Sequence, residues 1–375
     1  MRRIQTTPRK DWESKVEEAG LAWHTGEEPY WNESAFYEFT AKEVDVLESA
    51  TNELEKMSLT AVQHVIDNKL YSRMGIPEVA VPLIERSWEA EPPSLYGRFD
   101  LSYDGVNPPK LLEYNADTPT SLLEAAVVQW QWLEEAHKGR DQFNSIHERL
   151  IALWEQLVPY IPGRHVDFCS MDDVEDGITV TYLQDTAQQA GLETSQFPIA
   201  EIGWDGGQFV GADNRPLLCA FKLYPWEWMV REEFGRYLSQ SSTLWMEPAW
   251  KMVLSNKGIL PILWKLFPRH PNLLEAQFDT AGLMISWVKK PLLGREGCNI
   301  TLHHSGSESA TEGPYGDEGF IYQAWSQPRT FDGKHVVIGS WVVGHEEGNS
   351  SAGIGVREAD DPITTNLSQF VPHLF

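Results

Sequence analysis

Three scarcities narrow the chemistry of this chain before any motif is read. Cysteine is scarce: Cys169, Cys219 and Cys298 stand far apart in 375 residues. That spacing offers no disulfide framework and no C-x-x-C thiolate pair, and it points to a reducing cytosol. Positive charge is scarce too: 30 Lys and Arg stand against 55 Asp and Glu, a net charge of −25. A surface of that sign repels nucleic acid, whose binding depends on neutralised phosphates, and it suits solubility and small cations such as polyamines. Long apolar runs are missing, so no segment is built to span a bilayer. The start, MRRIQTTPRKDWESK, has basic residues with no apolar stretch behind them, unlike a secretory signal. The expectation is a cytoplasmic protein with small-molecule partners, no nucleic acid and no membrane insertion; the oligomeric state is left open.

Several motifs are also absent. There is no G-x-x-x-x-G-K-[ST], no G-x-G-x-x-G after a strand, no G-x-S-x-G and no H-E-x-x-H. These absences argue against a phosphate-loop ATPase, a Rossmann dehydrogenase and an α/β-hydrolase. His303 and His304 are adjacent, so on a strand they point to opposite faces and make a poor metal pair.

What is present is a globular composition, 42% hydrophobic and 23% charged, over a length that suggests two or three lobes. The 16 tryptophans fit core and cleft walls. The most informative stretch is 96–121, YGRFDLSYDGVNPPKLLEYNADTPTS. Two alternating segments flank a turn of Asp104, Gly105, Asn107, Pro108 and Pro109, which is a hairpin with a longer loop. Residues two apart on a strand share a face. If the hairpin closes symmetrically, Asp100 faces Glu113 and Arg98 faces Asn115. Two carboxylates, an amide and a guanidinium then converge, and hard divalent cations such as Mg²⁺ take such oxygen ligands, shared with phosphates.

Elsewhere the periodicity predicts helices over 43–68, from Ser121 (cap) and Glu124 (capping box) through Trp132, over 141–157, 177–190 and 256–267. The 43–68 helix is expected to turn its many Glu to solvent. Strands are expected near 166–169, 192–197, 207–211, 217–222, 283–290, 298–303, 319–325, 335–343 and 352–357. Residues 305–313 read as a surface loop. Three parts follow: 1–162 with the hairpin, a small α/β lobe at 163–245, and 246–375. A phosphate-handling set lies in the last part. Lys257 precedes a helix, and Lys290 ends an apolar strand just before the glycine-bounded loop Gly294-Arg295-Glu296-Gly297, whose backbone N–H groups can approach phosphate oxygens. The strand through Tyr322, Gln323 and Trp325 offers backbone groups and apolar walls for an adenine ring.

Taken in order, these segments resemble the glutathionylspermidine synthase family in its stand-alone synthetase branch. The matching motifs are Arg98-Phe99-Asp100, Glu113-Tyr114-Asn115-Ala116-Asp117, Phe221 to Glu227, Glu247-Pro248-Ala249-Trp250, Ser255 to Pro261, Val288 to Gly297, and Gly353 to Arg357. The resemblance runs from about residue 10 to the end, which leaves no room for the amidase domain of bifunctional members. It implies an α/β (α+β) permuted ATP-grasp fold with a pre-ATP-grasp lobe. It also implies an ATP-dependent acid–amine ligase with Mg²⁺ as cofactor. Asp100, Glu113 and Asn115 would hold Mg²⁺. Arg98, Lys257, Lys290, Gly294, Arg295, Gly297, Tyr322, Gln323 and Trp325 would serve ATP. Arg98 and Arg357 would stabilise the reacting acyl phosphate. Thr118, Thr120 and Ser121 would hold the acid, where the family carries serine, serine and often cysteine, and Glu227 would meet the amine. Two other readings stay open on the residues: a nucleotide-binding scaffold without turnover, and a Trp-rich binding module without nucleotide.

Overall fold

The computed structural model describes residues 1–26, 29–280, 282, 284–345, 348–365 and 368–375. Its long helix, Ala41–Asp67, begins with a reciprocal cap. The Thr40 hydroxyl accepts from the Glu43 N–H at 3.3 Å, and Glu43 accepts from the Thr40 N–H at 2.8 Å. Val44, Leu47, Leu54, Met57, Val62 and Val65 are buried along one stripe, as the periodicity requires. Of the glutamates expected on its solvent face, Glu43 and Glu55 are buried, and Glu55 reaches a tyrosine of the hairpin. Among the described residues no helix is long and apolar enough to cross a membrane.

The helix lies on an antiparallel sheet. Its strands run in the order Gln369–Val371, Ser351–Ala359, Lys334–Val343, Tyr96–Ser102 and Lys110–Asn115. The hairpin therefore shares a sheet with the end of the chain. The middle strand, KHVVIGSWVV, is buried from Val336 to Val343, so its continuous apolar run has two covered faces.

A parallel sheet forms the second layer. Its order is Leu244–Met246, Cys219–Leu223, His165–Ser170 and Glu193–Pro198. The helix Val174–Gln189 provides the crossover from His165–Ser170 to Glu193–Pro198 and packs on both. Open sheets of this kind place ligands outside the carboxyl ends of their strands, and the segments following Ser170 and Leu223 face a cleft here.

A third, antiparallel sheet has the order Ala276–Gln277, Phe320–Ala324, Trp287–Pro291, Thr301–His304 and Ser307–Ala310. The last of these corrects the loop expected at 305–313. Ser305 and Gly306 both have positive φ, 53° and 77°, the geometry of a two-residue hairpin turn. The strand expected from 283 begins at Trp287; Leu283 itself lies outside the described residues. The helix expected over 256–267 forms as Ile259–Leu266, and a further short helix, Lys251–Ser255, precedes it. They break where the Asn256 side chain accepts from the Gly258 N–H at 2.8 Å. A side chain ending in oxygen that binds its own backbone competes with helix propagation.

Candidate active site

The hairpin closes in the symmetric register. Arg98 pairs with Asn115, Phe99 with Tyr114 and Asp100 with Glu113. The pairing then slips, Leu101 meeting Leu111, so Leu112 is the extra residue of a bulge. On one face Asp100, Glu113 and Asn115 converge. Asn115 Nδ2 lies 3.2 Å from Asp100 Oδ2 and 3.3 Å from Glu113 Oε1. Arg98 straddles Asp100, with Nε at 2.7 Å from Oδ1 and Nη2 at 3.1 Å from Oδ2, and its Nη1 donates to the Thr120 carbonyl at 2.5 Å. On the other face Phe99 stacks on Tyr114 at 3.8 Å, and the Tyr114 hydroxyl donates to Glu55 at 2.7 Å.

Both lysines of the phosphate set reach this hairpin. Lys257 Nζ is 3.1 Å from Glu113 Oε2 and donates to the Gly294 carbonyl at 2.8 Å. Lys290 Nζ donates to the carbonyl of Leu112, the bulged residue, and to Gln323 Oε1, each at 2.8 Å. Burial alone would raise the Glu113 carboxyl. Lys257 and Lys290 overcome that and hold it down at about 2. Burial, with Lys257 close by, pushes Lys290 down to about 8.

Asp100, Glu113, Asn115 and Arg98 line one side of a cleft of about 750 Å³. Thr118, Thr120, Ser121, Arg357, Gly294, Arg295, Gly297 and Glu227 line it as well. Arg295 donates to the Thr118 hydroxyl and lies 5.4 Å from the Trp228 ring, so the glycine-bounded loop lies over the cleft. Arg357 is held by the carbonyls of Thr365 and Ser368 at 2.7 and 3.2 Å, and its Nε is buried with no partner among the described residues.

Lys257, Lys290, Tyr322, Gln323 and Trp325 do not line this cleft. Gln323 is buried, tying Lys290 to the Leu111 carbonyl through its Nε2 at 2.9 Å. Tyr322 pairs with Lys289, so it points to the face opposite Lys290, edge-on to Trp287 at 5.3 Å. The backbone of its strand is flanked on both sides, and the Trp325 N–H donates to Ser286 at 3.0 Å. The strand interior therefore has few backbone groups left for an adenine ring. Lys222 pairs with Asp117 at 2.8 Å, not with Glu227. Glu227 is pushed upward by burial, opposed by Arg295.

Ser121 does not cap the following helix. Its φ of 66° is far from the extended cap conformation, and its hydroxyl lies 3.1 Å from that of Tyr30. Tyr30 also donates to Glu124 at 2.7 Å, so the glutamate read as a capping-box partner is a buried group behind Tyr30 instead. It opens a π-helical turn, Glu124–Val128.

The family model described as "Glutathionylspermidine synthase preATP-grasp" matches residues 3–375. The chain belongs to the glutathionylspermidine synthase family. A putative acid–amine ligase from Haemophilus influenzae is 44% identical over 92% of this chain and 91% of its own length. The bifunctional glutathionylspermidine synthetase/amidase of Escherichia coli is 30% identical over 84% of this chain and 56% of its own. The trypanothione synthetase of Crithidia fasciculata is 28% identical over 83% of this chain and 51% of its own. A solved glutathione synthetase-like effector from Globodera pallida shares the fold, with a TM-score of 0.56 and 9% identity over 97% of this chain and 96% of that one. The fold is thus the mixed α/β, ATP-grasp type that the motifs implied, and the chain is an enzyme that forms carbon–nitrogen bonds.

In this family member the donor set of the hairpin suits a hard cation. It consists of two carboxylates and an amide whose oxygen and nitrogen exchange places on a half-turn. Among the described residues no group of three or more His, Cys, Asp and Glu makes a separate metal site, so the remaining ligands would come from phosphates and water.

One wall escaped the sequence reading. After Ser170 the chain reads Met171-Asp172-Asp173-Val174-Glu175-Asp176. Asp173 caps the helix Val174–Gln189, accepting from the N–H groups of Glu175 and Asp176. Asp173, Glu175 and Asp176 line the cleft, as do Tyr30 and Trp228. Burial raises Glu175 to about 7, helped by Glu124 and Asp176, and burial raises Asp176 to about 6, helped by Asp173. An acidic helix start directly after a strand is an ordinary cap, so the sequence signal was present but did not point to a ligand.

Proposed function

We propose that this enzyme activates a glutathione- or peptide-like carboxylic acid with ATP and joins it to a polyamine or another amine. The observation that carries the reading is the mixed lining of one cleft: the hairpin's metal-ligand set with Arg98, Arg295 and Arg357, and the carboxylates Glu175, Asp176 and Glu227. The acid would lie against Thr118, Thr120 and Ser121, and its carboxylate would attack the γ-phosphate to give an acyl phosphate and ADP. Mg²⁺, bound by Asp100, Glu113 and Asn115, would supply charge neutralisation at the phosphates. Lys257 and Lys290 would hold those phosphates. Arg98 and Arg357 would stabilise the oxygens on which charge grows, first at the phosphoryl group and then at the carbonyl attacked by the amine.

The amine arrives as an ammonium. Glu175, Asp176 and Glu227 would attract it, and a carboxylate titrating near neutrality is suited to take the proton it must lose before attack. The loop at Gly294–Gly297, held by Arg295 to Thr118, would keep water from the acyl phosphate. The segment 163–245 would serve as the substrate lobe and the rest as the nucleotide-binding body, in a cytoplasmic enzyme. Hydroxylamine tests the first half-reaction. With Mg²⁺-ATP and the correct acid, but no amine, a hydroxamate of that acid should accumulate in wild type and be lost in Arg357→Ala. ADP release from a good acid without any hydroxamate would overturn the acyl-phosphate step.

A further inference from the structure

The carboxylate oxygens at the centre of the hairpin are already taken by the protein itself. Asp100 Oδ1 accepts from Arg98 at 2.7 Å, and Oδ2 from Arg98 at 3.1 Å and Asn115 at 3.2 Å. Glu113 Oε1 accepts from Asn115 at 3.3 Å, and Lys257 stands 3.1 Å from Oε2. A divalent cation needs these same oxygens. Its approach sets it beside Lys257 on Glu113, and the other contact Lys257 makes among the described residues is the Gly294 carbonyl of the cleft loop.

Charge gives the direction. Two carboxylates, Asp100 and Glu113, face three cations, Arg98, Lys257 and Lys290. Each of these cations is close to fully buried. A bare divalent ion would add two positive charges to a desolvated patch that already carries a surplus. The same ion brought by a triphosphate arrives with excess negative charge. It gives Lys257 a phosphate to bind as it releases Glu113.

We propose that Lys257 is an internal stand-in for the metal, so that the site admits a divalent cation only together with its nucleotide. This rests on the metal reading of Asp100 and Glu113 given above. By linkage, metal and nucleotide each raise the other's affinity through the exchange of one lysine between carboxylate and phosphate. Lys257 thereby acts as more than a phosphate ligand: it sets the order in which the site fills.

Equilibrium Mn²⁺ binding, followed by the electron paramagnetic resonance of the free ion, tests this without turnover. Wild type, Lys257→Met, Glu113→Gln and the double variant are titrated alone and with a non-hydrolysable ATP analogue. Lys257→Met should bind Mn²⁺ alone at least about tenfold more tightly than wild type. The gain should vanish in the double variant, and Lys257→Met should bind the Mn²⁺–nucleotide complex more weakly than wild type. Lys257→Gln, which keeps a donor for the Gly294 carbonyl, replaces the methionine variant if that one does not fold. Equal Mn²⁺ affinity of wild type and the Lys257 variant without nucleotide overturns the stand-in role. In that case the metal reading survives provided Glu113→Gln still weakens Mn²⁺–nucleotide binding. If Glu113→Gln leaves that binding unchanged, the metal reading falls and the inference with it.

Discussion

Asp100 and Glu113 are register partners across the two strands of the hairpin, and the pairing slips at the very next position. The slip leaves Leu112 unpaired in the bulge, and its carbonyl receives Lys290. One local irregularity thus joins a candidate metal pair to a lysine nearly 180 residues away. Replacing either carboxylate should therefore be felt in nucleotide binding. Asp100→Asn and Glu113→Gln should each weaken Mg²⁺-ATP binding by at least about tenfold, measured by calorimetry with a non-hydrolysable analogue. Unchanged affinity in both variants would remove the metal assignment.

Lys290 predicts a pH dependence. Its folded-state value, about 8, lies below the ordinary 10.5. The folded protein therefore holds fewer protons than the unfolded chain between those values, and this group's contribution to stability rises with pH across that window. Phosphate binding needs the opposite, protonated form. Affinity for Mg²⁺-ATP should fall as pH rises above about 8, and Lys290→Arg, which stays charged, should flatten the profile. A wild-type affinity that is level from pH 7 to 10 would contradict this.

Glu113 acts at the acid end. Its carboxyl is held down to about 2 by Lys257 and Lys290 against burial. The stability it supplies is complete above the ordinary carboxylate value of 4.5 and is lost as pH falls from there towards 2. In Glu113→Gln that part of the acid unfolding profile should disappear, as thermal melts between pH 5 and 2.5 would register.

The acidic helix start gives a reversed sign. Burial, with Glu124 and Asp176, raises Glu175 to about 7. Ionisation costs stability as pH climbs from about 4.5 to 7, but it creates the charge that a cationic amine needs. KM for the amine should drop as pH rises through 7, and Glu175→Gln should raise KM for the amine several-fold while sparing KM for ATP. A variant that changed both constants alike would place Glu175 outside the amine site.

Gly339 lies beside Asp100 in the sheet, and a Cβ there would come within 2.9 Å of Arg98 Cδ. Gly339→Ala should displace the guanidinium and cut turnover by about tenfold or more, at a thermal-stability cost of about 1 kcal/mol. Full activity in this variant would show that the position of Arg98 is not critical.

The hairpin was legible because everything that fixes it is local. Alternation sets the faces, the Asp-Gly-Val-Asn-Pro-Pro loop sets the closure, and strand geometry brings four residues together. The long helix was legible for the same reason. Glu55 was not, since a glutamate on the apolar stripe is unmasked only by Tyr114 on a distant strand and His345 just past another reaching it. The face of Tyr322 depended on its register with Lys289, and the acidic wall depended on how the parallel sheet packs beside the hairpin. Neither is encoded within a few residues. The turn at Ser305-Gly306 carried a readable signal, a glycine suited to positive φ, inside a polar stretch that looked like plain loop.

Coupled ligation is tested by a crossed panel of substrates. Purified protein with Mg²⁺-ATP is offered small acids and amines in all pairs, glutathione and spermidine included, with ADP and amide both followed. ADP release should require one acid and one amine, match the amide one for one, and be lost in Arg98→Ala. ADP release that is indifferent to both, or equal in the variant, would contradict it.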